Sequence, residues 1–74
     1  MNLRCVDMEA TGNNIKTLMT ERNMKTRDIA EACGFTRLNS VYSWFYGRSI
    51  PSVDTLVILS DIFNVPIDDI IIRR

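Results

Sequence analysis

The stretch "TRDIAEACGFTRLNSVYSWFYG", residues 26–47, decides the fold. Its opening, "TRDIAEACG", reads as a short helix, because Ile29, Ala32 and Cys33 recur at helical spacing on one face. Gly34 stands just past its end, where the chain wants a left-handed conformation that a Cβ disfavours. Ala30 lies four residues before that glycine, and a small residue there lets a second helix cross closely over the first. The segment "RLNSVYSWFYG" predicts that second helix, closed by Gly47. Val41 and Trp44 are three apart and therefore share its inward face.

The flanks supply the rest of a small helical domain. "TGNNIKTLMTER" predicts a helix with Thr11 as N-cap, an inward row at Ile15, Leu18 and Met19, and a stop at Asn23. "IPSVDTLVILSDIFN" predicts another, with Pro51 before it, Ser52 as cap and Asp54 at the positive end of the helix dipole. Its inward stripe is read as Val53, Leu56, Leu59 and Phe63. "PIDDIII" is a last short turn, with Pro66 tolerated at its first position. The domain is expected to span 11–74. Residues 1–10 form an N-terminal extension, read either as disordered or as a strand pairing with a partner copy.

Bulk properties narrow the function. The chain has 74 residues, enough for one small domain, with 46% hydrophobic and 24% charged residues, as in ordinary globular proteins. No apolar run approaches the roughly 20 residues that span a bilayer, and "MNLRCVDMEATG" lacks the basic-then-apolar order of a signal peptide. A cytoplasmic protein with no membrane partner is expected. Two cysteines, Cys5 and Cys33, and no histidine cannot complete a four-ligand zinc site. Cys33 reads as a small buried hydrophobe. Asp68 and Asp69 are adjacent and point apart on a helix, so they read as solvated acids and not as metal ligands. With no histidine, no Gly-rich phosphate loop and no nucleophile–base pair, an enzyme is not expected, nor a cofactor, nor a small-molecule ligand.

Net charge is zero, but its distribution is not uniform. Residues 16–50 carry six cations against three acids, a net +3, whereas residues 51–74 carry a net −2. A basic middle beside an acidic end suits one face meeting phosphate.

Two short helices joined by a tight turn are the construction of a helix-turn-helix, whose second helix offers its outer face to the DNA major groove. The pieces "DIAEACGF", "VYSW", "GRSIPSVDTL" and "LSDIFNVPIDDII" follow in order over about residues 13–71. In this the chain resembles the phage-repressor and Cro-like helix-turn-helix proteins, the XRE class. The resemblance implies an all-α, compact five-helix bundle of the lambda-repressor type. It also implies sequence-specific binding of double-stranded DNA in transcription control, commonly as a two-fold homodimer. Ile29, Ala30, Gly34, Val41, Trp44, Pro51, Leu56, Phe63, Val65 and Ile70 match its core or turn positions.

The same resemblance suggests the DNA-binding residues. Asn39 falls where a base-reading Gln or Asn is frequent, and its amide can pair bidentately with adenine. Arg37, Ser40 and Ser43 lie on or near that face. Thr26, in the first turn of its helix, would meet phosphate with the free N–H groups there. Arg27, Tyr46 and Arg48 are further backbone-contact candidates. Blander readings stand beside these: Asn39 as a helix cap, Arg37 as a surface cation, Phe45 as a widening of the core stripe, Tyr46 as a solvated rim residue.

Four departures from the family pattern stand out. Gly34 and Val41 are seven residues apart where six is usual, so one residue is inserted in "FTRL". Lys25 occupies a position usually held by a capping Ser or Thr, Ser43 one where Lys is common, and Phe45 and Tyr46 positions that are usually polar. Two functions follow as expectations. One is a DNA-binding regulator, a repressor on a pseudo-palindromic operator. The other is a protein-interaction module on the same fold, antitoxin-like or for dimerisation, with little DNA affinity.

Overall fold

The computed structural model describes residues 5–74. Four α-helices, α1 (Met8–Glu21), α2 (Thr26–Cys33), α3 (Asn39–Phe45) and α4 (Val53–Phe63), precede one 3-10 turn over Ile67–Asp69. The described residues contain no strand, only an isolated antiparallel bridge between Val6 and Arg73. The all-α expectation holds, but the fifth helix is only that single turn.

The reason lies at Asn14. Its amide donates to the carbonyls of Asp69 (2.7 Å) and Ile70 (3.0 Å), acceptors that another helical turn would need. The Ile72 N–H instead reaches Thr11 Oγ1 at 3.0 Å. The chain therefore leaves the helical path and runs back along the start of α1.

That return also moves the start of α1. Asp7 is the N-cap, its carboxylate accepting the Ala10 N–H at 3.0 Å, so Met8–Ala10 form the first turn. Thr11 is not a cap. It is buried inside the helix, and its hydroxyl donates to the Ile72 carbonyl while accepting the Ile72 N–H. The Asp7 N–H donates to the Ile72 carbonyl (2.8 Å) and the Arg74 N–H to that of Cys5 (3.0 Å). Residues 5–7 of the N-terminal extension thus run against the chain's own end. Residues 1–4 of that extension lie outside the described residues.

One core joins all the elements: Ile15, Leu18 and Met19 from α1, Ile29 and Ala30 from α2, Val41 and Trp44 from α3, Leu56, Leu59 and Phe63 from α4, and Ile70. Two assignments along it change. Ala32 is exposed, because the inward arc of α2 centres on Ile29, Ala30 and the half-buried Cys33, and Ala32 lies roughly a quarter-turn away. Val53 is 74% exposed at the first position of α4. The buried row runs instead through Thr55, Leu59 and Phe63 at four-residue spacing, broadened by Leu56.

Two close contacts hold the helices in place. An ideal Cβ built at Gly12 would stand 1.9 Å from the Trp44 carbonyl oxygen, so the missing side chain is what lets α3 lie directly on α1. At the opposite end of α1, Arg22 closes α4. Its Nε donates to the Phe63 carbonyl at 2.9 Å, and its guanidinium carbon lies 5.6 Å from the Phe63 ring centroid. Among the described residues no buried side-chain polar atom lacks a partner. No helix among them is long and apolar enough to cross a membrane.

Candidate nucleic-acid interface

The candidate surface is built from the turn between α2 and α3 outward. Gly34 ends α2 with φ +76°, and the Phe35 N–H reaches back to the Ala30 carbonyl at 2.8 Å, which is the glycine-terminated helix end expected from the sequence. Lys25, the N-cap of α2, has no acceptor to offer. Half of a capping box remains, because the Asp28 carboxylate accepts the Lys25 N–H at 2.8 Å.

The extra residue between Gly34 and Val41 is absorbed in the loop. Phe35 turns inward, edge-on to Trp44 with ring centroids 6.0 Å apart, and Leu38 packs against the core. Thr36 and Arg37 between them are pushed out into solvent. Val41 and Trp44 remain buried, so α3 keeps its seat despite the longer turn. Partial burial on this inner side pushes the Cys33 thiol up from its ordinary value.

The outer face of α3 is a shallow groove lined by Asn39, Tyr42, Ser43, Tyr46 and Arg48. Asn39, Ser43 and Tyr46 lie along one side of the helix surface, opposite Val41 and Trp44. Asn39 is the first residue of the helix, after the N-cap Leu38, and makes no capping bond. Its side chain is therefore not the cap that the blander reading made it. Ser43 forms the floor. Its hydroxyl is 2.7 Å from that of Ser49, and its carbonyl accepts the Arg48 N–H at 3.0 Å. These two bonds fold the chain after α3 back over the helix. They bring the Arg48 guanidinium to 5.5 Å from the Tyr46 ring centroid.

The aromatic residues divide as their spacing suggests. Phe45 is half-buried against the core, as the broader core stripe predicts, with Tyr42 edge-on at 6.0 Å and the Lys16 ammonium 5.3 Å from its ring centroid. Tyr46, at the C-cap, is 69% exposed.

Of the residues picked out in the sequence, Asn39, Ser43, Tyr46 and Arg48 come together at this groove. Thr26 (half-buried) and Arg27 (exposed) open α2, Arg37 stands on the loop, and exposed Ser40 follows Asn39 on the flank. None of these four lines the groove. Tyr42 and Ser49 were absent from the sequence-derived set. Tyr42 was visible in principle, three residues after Asn39 and four before Tyr46. The Ser43–Ser49 contact crosses a loop and leaves no periodic signal.

A family model of helix-turn-helix domains matches residues 15–70, most of the chain. The chain belongs to the helix-turn-helix family. The resemblance to the phage-repressor and Cro-like XRE class drawn from its sequence therefore stands, and that family is one of DNA-binding domains. The crystal structure of the DNA-binding domain of BldD superposes on this helix-turn-helix protein with a TM-score of 0.70. The match covers 89% of this chain and 94% of that one at 18% sequence identity, so the two share a fold. No curated protein matches the chain.

Proposed function

We propose that this helix-turn-helix protein is a sequence-specific transcriptional regulator, a repressor that binds a pseudo-palindromic operator as a two-fold dimer. Each copy lays α3 in the major groove. One observation carries the reading. α3 is locked by Val41 and Trp44 on one face while the opposite face gathers Asn39 and Arg48 around an exposed groove. Asn39 reads an adenine edge, and Arg37, Arg48, Thr26 and Arg27 hold the phosphate backbone. The protein binds and carries out no reaction of its own, needs no cofactor, and acts in the cytoplasm by occupying DNA.

A gel-shift titration tests this with a fragment from upstream of the protein's own gene. Specific binding that weakens steeply with added salt is expected, because phosphate contacts release counterions. Asn39→Ala should narrow the gap between specific and random DNA by about 1–3 kcal/mol. Equal binding to random DNA at low salt would defeat the regulator reading.

The second reading, a protein-interaction module, draws on a different surface. Ile50, Val53 and Val57 are exposed apolar side chains, with Val53 and Val57 one helical turn apart on α4. Such a strip suits a second copy or a partner protein. Sedimentation paired with the gel shift on wild type and Val53→Asp separates the two: an interaction module loses self-association with no specific DNA binding in either form, whereas the regulator shows specific DNA binding in the wild type.

A further inference from the structure

We propose that the groove over Ser43 receives the 5-methyl group of a thymine, next to the base met by Asn39. The inference rests on the regulator reading and assigns the specificity of the middle of α3.

The first argument is shape. Ser43 is a small side chain at the middle of the outer face of α3, and its hydroxyl is 2.7 Å from that of Ser49. A long polar side chain at that position would fill the space and reach a base edge. Here the helix is recessed at its middle, and the recess is walled by Tyr42 and Tyr46. The Arg48 guanidinium lies 5.5 Å from the Tyr46 ring centroid and favours this placement of the ring.

The second argument is chemical. The floor hydroxyl is already paired, and no buried side-chain polar atom among the described residues lacks a partner. The Ser43 hydroxyl is turned toward Ser49, and the rings of Tyr42 and Tyr46 offer aromatic carbon along the groove. Of the four bases in the major groove, only thymine projects an apolar group. The polar members sit at the rims. Asn39 lies one turn toward the helix start, placed for an adjacent adenine, and Arg48 lies at the far end, placed for phosphate. Tyr46, one of the two aromatic residues that depart from the usual polar pattern, thereby becomes part of the reading element.

The test uses the full chain and the fragment it prefers, with each thymine replaced in turn by deoxyuridine, which lacks only the methyl. Affinity should fall ~4-fold at one position of each half-site, the worth of one buried methyl. Ser43→Leu fills the groove and should bind the thymine and deoxyuridine fragments equally. Tyr42→Ala removes a wall and should shrink the difference, which keeps the test sound if the leucine variant folds poorly. Indifference of the wild type to deoxyuridine at every position, with specific binding intact, overturns the methyl assignment and leaves the regulator reading standing. Absence of any preferred fragment overturns the regulator reading, and this inference with it.

Discussion

Replacing Gly12 by alanine pits two effects of opposite sign against each other. Gly12 lies within α1, where alanine is the better helix former by about 1 kcal/mol, so local propensity alone predicts a stabler protein. The tertiary contact predicts the reverse. The new Cβ would stand 1.9 Å from the Trp44 carbonyl oxygen, 2.8 Å from its carbon and 3.3 Å from the Phe45 Cα. Reaching even 3.0 Å from that oxygen requires a displacement of about 1.1 Å, and the obstructing atoms are backbone, so no rotamer change relieves them. Overpacking of this kind costs about 1–3 kcal/mol, more where the backbone must shift. Subtracting the propensity gain leaves a net loss of about 2 kcal/mol for a shift at the upper end of that range or beyond. In a domain of this size that corresponds to roughly 8–16 °C in Tm. Urea denaturation followed by fluorescence of the single, buried Trp44 measures it directly. Because α3 must lift from α1, DNA affinity should fall in the same variant. An alanine variant as stable as wild type, or stabler, would refute the close helix crossing on which the seating of α3 rests.

Three further outcomes follow from the same structure. Gly34→Ala should destabilise by only about 1–2 kcal/mol, since the strain of φ +76° is the sole penalty and a Cβ there meets nothing within 4 Å; thermal melts of the two glycine variants should rank Gly12→Ala as the worse. Arg22→Ala removes donors to the Phe63 and Leu18 carbonyls and the contact with the Phe63 ring, and should cost about 1–3 kcal/mol by chemical denaturation. Thr11→Val leaves the Ile72 N–H without its acceptor, at a cost of about 1–3 kcal/mol; hydrogen exchange should then speed up at the Ile72, Asp7 and Arg74 amides, while the amides of α4 change only with global stability.

Much of the candidate site was legible before any coordinates. Val41 and Trp44 are three apart and share one face of the helix, and that face is buried. Asn39 and Arg48 were pointed to by the resemblance to the XRE class, and both lie at the groove. Ser43 was also chosen, for lying on or near the same face, and its hydroxyl pairs with that of Ser49. Tyr42 is a wall of the groove, because what it faces depends on where Arg48 and Ser49 return across α3. One residue is inserted between Gly34 and Val41 relative to the family pattern. Its effect depended on whether Phe35 and Leu38 could both reach the core, a matter of distance across the turn that spacing does not express.

Local chemistry written along the chain accounts for the helices and for the helix-turn-helix itself. Periodicity places Ile15, Leu18 and Met19 inward, Ser52 caps α4, and Gly34 turns the chain, because each depends on residues within a few positions of one another. The ends of the domain depended on contacts far apart in sequence. Asn14 takes the carbonyls that a fifth helix would have used, Thr11 becomes a buried link to Ile72 where local pattern made it a cap, and Asp7 caps α1 in its place. Gly12 is the sharpest case: within α1 it only weakens a helix, and its purpose becomes visible when the Trp44 carbonyl arrives from 32 residues away to occupy the space where a side chain would be.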